Sequence, residues 1–361
     1  MSKKFVVLPI ICIATIISSA QTSLSSELAK IDVTTLKAET AKKPAWVFAT
    51  VEEGLHFDPW RNKKTVKTWT TSERKTVDGY MKRLQVKYGR LLKRAGSLTL
   101  VRITQKEPGY NPCAMTFAGA VFIPDRFFHE ERETVRFGTI LHEITHSADW
   151  GNLISNSAEW VKYSSKLKVG NPPQYPVDLN ELLAWAMEFF EEKNKLYDSA
   201  EFAKQFLPKL LDGPQEYDDY NRLSMKSSLA FKQRKYMLSI KLAEEAEQLF
   251  PSTPKPHMTK SICFAMLGRA TKGLNECTIA LSCFDSAKVP HYSDDYLDAL
   301  CIKASCLNGL ERFDEAEKTI DFVVASPNKY AQRRAKSIKQ RIQEARKQAK
   351  KQPIVSPGSS K

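Results

Sequence analysis

The chain has 361 residues, of which 42% are hydrophobic, and its formal net charge is +14 at neutral pH. This length is enough for two or three domains. The charge does not indicate a nucleic-acid-binding protein, because residues 329–361 alone carry +10, without the interleaved aromatic residues typical of nucleic-acid recognition. We therefore expect no nucleic-acid partner.

The first 20 residues have the pattern of a signal peptide. Lys3 and Lys4 precede an apolar run from Phe5 to Ile17, and the small residues Ser18, Ser19 and Ala20 follow it. The run is short for a membrane span, although an uncleaved anchor stays open. From the signal-peptide pattern we expect export to the periplasm or the extracellular space. No other apolar run reaches the length of a span, so we expect no membrane span in the mature chain. Residues 21–44 are polar and are predicted to be a linker.

Residues 45–220 are predicted to form an α+β domain. A helix is expected from Ser72 to Arg94 and a strand from Leu98 to Ile103. A second strand is expected from Met115 to Ile123, where apolar residues alternate and Gly119 marks a bulge or a close backbone approach.

The most informative segment follows this strand and reads His142-Glu143-Ile144-Thr145-His146. Two histidines four residues apart share one face of a helix, so both imidazoles can reach one Zn²⁺ ion. The intervening glutamate can take a proton from a zinc-bound water. This H-E-x-x-H pattern is typical of zinc metallopeptidases.

Zinc needs a third protein ligand. Because no histidine follows until His257, the candidates lie on a helix predicted to start near Asp178. Glu181 is the preferred ligand, with Glu188 as the alternative. Asp178 and Glu181 also have the spacing of a capping box, which would give Glu181 a role in helix initiation alone. Glu188 is expected at the solvated end of the helix.

The segments "ILHEITHSADWGNLISNSAEW" and "YPVDLNELLAWAMEFF" together resemble the lethal-factor-like secreted gluzincins, a group that includes the Pro-Pro endopeptidases. The resemblance covers roughly residues 97–195. It implies a zincin-like fold, zinc ligands His142, His146 and Glu181, Glu143 as general base, and Tyr175 as oxyanion donor. Tyr175 is one residue closer to the glutamate than the group's pattern, and Trp185 stands where the group usually has a second glutamate.

Two further features leave alternatives open. Asp149 either accepts the second N–H of a zinc histidine or is a polar residue near the helix C-terminus, which Gly151 would end. Six cysteines follow the signal peptide. In an exported protein they can form disulfides, and small buried thiols explain them equally well. They are Cys113, Cys263, Cys277, Cys283, Cys301 and Cys306.

Residues 226–327 contain a degenerate repeat. The segments "RKYMLSIKLAEEAEQLFP", "LGRATKGLNECTIALSC" and "LERFDEAEKTIDFVVASP" align, with small residues Ser239, Gly273 and Ala316 at matching places. The first interval is 34 residues, which resembles tetratricopeptide repeats, and the second is longer by an insertion around Phe284 to Ser293. An irregular helical bundle is the alternative. Residues 328–361 are predicted to be a solvated basic helix and a disordered tail.

The sequence thus predicts a zincin-like α+β metallopeptidase domain followed by an all-α tetratricopeptide-like helical repeat domain. The expected function is that of an exported zinc-dependent endopeptidase acting on protein or peptide substrates, with a protein partner bound through the repeats. Two alternatives are a catalytically inactive metallopeptidase-like scaffold and a tetratricopeptide adaptor.

Overall fold

The computed structural model describes residues 45–57, 66–104, 114–130, 132–166, 179–191 and 199–351. Within them a small mixed sheet of four strands is combined with many helices. The strands are β1 (Trp46–Phe48), β2 (Leu98–Arg102), β3 (Met115–Phe117) and β4 (Ala120–Ile123). Their order is β1-β2-β4-β3, with parallel pairing of β1 with β2 and of β2 with β4, and antiparallel pairing of β3 with β4.

The strand predicted from Met115 to Ile123 is wrong as a single element. It is a hairpin in which Ala118 and Gly119 form the two-residue turn, with φ angles of 47° and 83°. Positive φ at both turn residues matches the right-handed twist of the flanking strands. β4 is consequently an interior strand, and of the two strands of the hairpin only β3 lies at an edge of the described sheet.

Helices surround the sheet in the N-terminal part of the chain, which we call the sheet half (residues 45–212). The predicted helices at Ser72–Arg94 and around the histidine pair are confirmed as α2 and α4. The helices in the described residues of this half are α1 (Val51–Phe57), α2 (Thr71–Ala95), α3 (Asp125–His129), α4 (Glu133–Ala148), α5 (Ala158–Ser164), α6 (Leu179–Glu191), α7 (Ser199–Gln205) and α8 (Leu207–Asp212).

Helix α4 is buried along nearly its whole length. Phe137, Ile140, Leu141 and Ile144 recur at helical spacing and are each at most 3% exposed. They belong to a core that also contains the apolar stripe of α2 and Leu183 of α6. Because α4 is fixed on several sides, the orientation of its histidine face is set by the packing of these apolar residues.

Three helical hairpins begin the C-terminal part, which we call the helical half (residues 215–351). They pair α9 (Gln215–Lys232) with α10 (Tyr236–Leu249), α11 (Pro254–Met266) with α12 (Ala270–Ser286), and α13 (Asp294–Gly309) with α14 (Phe313–Val324). The three turns are equivalent, because each contains one residue of positive φ, namely Arg234, Gly268 and Glu311. These are 34 and 43 positions apart, as the sequence repeat predicts.

The small residues of the repeat lie where the two helices of each hairpin meet. Ser227 donates a hydrogen bond to the carbonyl of Ser239 at 2.7 Å, and Ser261 donates to that of Gly273 at 2.6 Å. A Cβ atom on Gly273 would lie 2.9 Å from the sulfur of Cys306. These residues are therefore small because the helices approach closely.

The terminal helix α15 (Lys329–Lys351) corrects the prediction of a solvated helix. Ala335, Ile338 and Ile342 are buried against α13 and α14 in one apolar cluster, and Ile342 has no exposed surface. The helix is amphipathic, with most of its charged residues exposed and Arg334 paired with Asp298 of α13, and it covers the end of the helical half.

Several sequence predictions fall outside the described residues. These are the signal peptide, the linker, Cys113, Tyr175, Asp178 and the tail after Lys351. The other five cysteines are unpaired, four of them buried, which agrees with the interpretation as small buried thiols. Among the described helices, none is both long and apolar enough to cross a membrane.

Candidate metal centre

His142 and His146 lie on the same face of α4, one helical turn apart. Their Nε2 atoms are 3.0 Å from each other, and their rings meet edge to face. His142 is 9% exposed, and the side chain of His146 is 12% exposed. The predicted sharing of one face is therefore confirmed in geometry, with both Nε2 atoms directed to one point.

Glu181, in the first turn of α6, brings its carboxylate to the same point. Its oxygens lie 3.3 Å from Nε2 of His142 and 3.4 Å from Nε2 of His146. The three ligand atoms are all within 4.8 Å of one another, and in the described part of the chain this is the one such group suited to a metal ion. The side chain of Glu181 is 44% exposed, so the group is open to solvent on that side.

The donor set fits a zinc ion. Two imidazole nitrogens and one carboxylate are the ligands of many catalytic zinc sites, which keep a further position open for water. Burial lowers the pKa of His142, but the carboxylates of Glu181 and Glu188 outweigh it and raise the pKa to about 10. Burial likewise opposes ionisation of Glu181, but the two histidines hold the pKa of its carboxyl well below its usual range. The carboxylates around the cluster therefore favour a positive charge at the point where the three side chains meet.

Glu188 occupies a different place from the one that the sequence indicated. It is not at a solvated helix end, because its side chain is 18% exposed and accepts a hydrogen bond of 3.1 Å from Nδ1 of His142. A carboxylate can only accept, so Nδ1 carries a hydrogen, and in the neutral ring that binds a metal the lone pair is on Nε2, which faces Glu181. Glu188 thus lies behind the imidazole and fixes its orientation.

His146 has a neutral partner, Asn180, whose Oδ1 contacts Nδ1 of the ring. The amide nitrogen of Asn180 in turn lies 3.3 Å from the carbonyl oxygen and 3.4 Å from Oδ2 of Asp149. Sequence reasoning missed Asn180, although its position directly before Glu181 was a usable signal. Of the two alternatives for Asp149, the structure shows the residue at the helix C-terminus, and its carboxylate is separated from His146 by Asn180.

Glu143 is buried beside the histidine pair. Thr116 of the edge strand β3 places its hydroxyl 2.8 Å from Oε2 of Glu143 and 2.9 Å from the carbonyl oxygen of that residue. Burial raises the pKa of the Glu143 carboxyl, while the two histidines and Thr116 oppose this rise. A buried carboxyl with a raised pKa is suited to accept a proton near neutral pH.

The loop after α4 is anchored to the helical half. Helix α4 ends at Ala148, and Gly151 does not end it, because Asp149 is the capping residue. Gly151 is instead a close-approach position, since a Cβ there would lie 2.2 Å from a ring carbon of Tyr220. Its N–H donates to Asn221 at 3.0 Å, and its carbonyl oxygen accepts from the Tyr220 hydroxyl at 3.0 Å.

A second anchor lies at the start of α13. Asp295 accepts hydrogen bonds from the side-chain amides of Asn152 and Asn156, the latter at 3.3 Å. The helical half therefore holds the loop that follows α4 at two separate places, and the apolar core runs from α4 and α6 into α12 and α13.

Comparison of the chain with protein-family models and with curated protein sequences finds no match.

Proposed function

We propose that the protein is a zinc-dependent endopeptidase with a zincin-like sheet half. The observation that carries the proposal is the convergence of His142, His146 and Glu181 on one point, with the buried carboxyl of Glu143 beside it. A site that only stabilised the fold would use four protein ligands and need no base, whereas three ligands and a base are typical of a hydrolytic centre.

His142, His146 and Glu181 would hold the ion. When bound there, zinc lowers the pKa of a coordinated water and polarises a carbonyl oxygen. Glu143 accepts the proton of the attacking water and delivers it to the leaving amine, for which its raised pKa suits it. Thr116 holds this carboxyl in place through the 2.8 Å hydrogen bond. Tyr175 is proposed, on the family resemblance alone, to donate to the oxyanion.

The substrate is proposed to be an extended segment of a protein or peptide. β3 has β4 on one side only in the described sheet, and Thr116 in its middle contacts the base. A peptide that pairs with the free side of β3 would pass the metal centre with its backbone aligned along the strand. Of the strand predicted from Met115 to Ile123, only the first three residues would therefore pair with the substrate.

The helical half is proposed to be a degenerate tetratricopeptide-like array that positions a protein substrate or partner. Its three equivalent hairpins support this. Export is proposed on the sequence of residues 1–20 alone.

Cleavage profiling of a proteome-derived peptide library by the full-length protein tests the proposal, with Glu143→Gln as the matched control. The variant removes the base and no metal ligand, so zinc content should stay at about one ion per chain while cleavage falls at least ~100-fold. Equal cleavage by both proteins refutes the mechanism. Zinc binding without cleavage by either protein would favour the inactive scaffold.

A further inference from the structure

The two histidines of the metal centre are oriented by different chemistry. His142 is backed directly by the carboxylate of Glu188. His146 is backed by the amide of Asn180, and an amide can present either its oxygen or its nitrogen to a ring. The tautomer of His146 therefore depends on which way the Asn180 amide faces.

Asp149 determines this direction. Its carboxyl is 2% exposed; burial raises its pKa, whereas the hydrogen bonds from Ile154 and Ser155 favour the ionised form, which can only accept hydrogen bonds. Its two oxygens accept from the backbone N–H groups of Ile154 and Ser155, each at 2.9 Å, which fixes the carboxylate in the loop after α4. The group of Asn180 that faces Asp149 must then be the amide nitrogen. Both atoms that it contacts, the carbonyl oxygen and Oδ2 of Asp149, are acceptors.

We propose that Asp149 and Asn180 form a positioning pair that sets the metal-binding tautomer of His146. With the amide nitrogen held by Asp149, the amide oxygen faces Nδ1 of His146 and requires a hydrogen there. The lone pair of Nε2 is then left for the ion. Reversal of the amide would favour a hydrogen on Nε2, at the point where Glu181 and His142 converge, and would oppose metal binding.

The pair also connects the metal centre to the helical half. Asp149 belongs to the same loop as Gly151, Asn152 and Asn156, which Asn221 and Asp295 hold from outside. The sheet half alone lacks these anchors, so the orientation of His146 depends on residues more than 70 positions further along the chain.

The inference rests on the proposed zinc site, and a double-mutant cycle on the full-length protein tests it. Asn180→Leu removes the contact with Nδ1 and with Asp149 together. Asp149→Asn keeps the shape of the side chain but can place a donor beside Asn180, which removes one of the two acceptors that hold the amide nitrogen and lowers the cost of its reversal. Each single variant should weaken zinc affinity by about 10- to 100-fold, as loss of a histidine-orienting partner does. Asp321→Asn, the same chemical change at a 52% exposed position of α14, is the control and should change zinc affinity less than ~3-fold.

The double variant gives the readout that a purely structural role would not produce. If Asp149 acts through Asn180, adding Asp149→Asn to Asn180→Leu should not reduce zinc affinity further, while the melting temperature still falls. Additive losses of affinity, or single variants with wild-type affinity, overturn the positioning pair. If His142→Ala binds zinc as well as wild type, the zinc site itself is wrong, which is a separate outcome.

Discussion

The substitution Gly151→Ala, which adds a single methyl group, tests how closely the loop after α4 packs against the helical half. The Cβ of Gly151→Ala would lie 2.2, 2.9 and 3.0 Å from three ring carbons of Tyr220. That ring has no exposed surface, and its hydroxyl is held by the carbonyl oxygen of Gly151 at 3.0 Å and by the hydroxyl of Thr253 at 2.9 Å. The ring cannot move away without breaking these contacts.

The expected cost follows from these distances. Overpacking of a filled core costs about 1–3 kcal/mol, and loss of the two hydrogen bonds adds about 1 kcal/mol each. We therefore expect a loss of at least about 3 kcal/mol, or a fall in melting temperature of roughly 6–10 °C. Thermal unfolding followed by circular dichroism measures it. Gly79→Ala is the matched control: Gly79 is exposed within α2, nothing lies within 4 Å of its added Cβ, and the change should stabilise by about 0.5–1 kcal/mol.

A second variant keeps the test decisive. Tyr220→Ala opens the space that the new methyl needs, so Gly151→Ala in that background should cost at least about 1 kcal/mol less than in wild type. A Gly151→Ala protein within 0.5 kcal/mol of wild type would refute the close packing of this loop on α9.

Three further outcomes follow from the contacts. Glu181→Ala should reduce zinc affinity at least ~100-fold, because it removes a ligand, and Glu188→Ala about 10- to 100-fold, because it removes the carboxylate that orients His142. A chelator competition measures both affinities, and the reverse order would exchange the roles of the two glutamates. Ile342→Ala should lower the free energy of unfolding, measured by chemical denaturation, by about 2–4 kcal/mol, because the side chain is fully buried. Val86→Ala, at an 88% exposed site, is the control and should change it very little. Equally small effects of the two changes would contradict the packing of α15. Burial opposes ionisation of Asp125, but Lys67 and Arg102 lower its pKa below the value in the unfolded chain. The ion pairs of Asp125 therefore stabilise the fold above about pH 4, and this stabilisation is lost as the pH falls through the pKa of the folded state. The stability advantage of wild type over Asp125→Asn should therefore shrink between pH 6 and pH 2, and a constant difference would refute this.

Elements with a strong local signal were predictable. The stripe of Tyr80, Leu84 and Leu91 identified α2, and the four-residue spacing of His142 and His146 identified both α4 and the shared face of its histidines. In these cases one helical period determines which side chains are neighbours, and tertiary packing adds little to the prediction.

The β3–β4 hairpin was missed for a physical reason. The alternation of apolar residues continues through the turn, and Ala118 adopts a positive φ that its side chain disfavours. A glycine or asparagine at that position would have signalled the turn.

The partners of the candidate metal ligands lie beyond sequence reasoning, because they depend on how α6 and the loop after α4 pack together. Glu188 was placed among neighbouring acidic residues at a helix end, yet the burial of α6 turns it towards His142. Asn180 reaches His146 from 34 positions away. For α15, two isoleucines among many basic residues gave a weak signal, and only the apolar surface of α13 and α14 explains their burial.

X-ray absorption at the zinc edge, on full-length protein loaded with one equivalent of zinc, tests the central claim most directly. We expect the zinc ion to have four or five nitrogen and oxygen ligands at about 2.0–2.2 Å, two of which are imidazole nitrogens. The imidazole scattering should halve in His142→Ala, or the metal should be lost. A spectrum dominated by sulfur at about 2.3 Å, or one with no imidazole scattering, would contradict a metal centre formed by His142, His146 and Glu181.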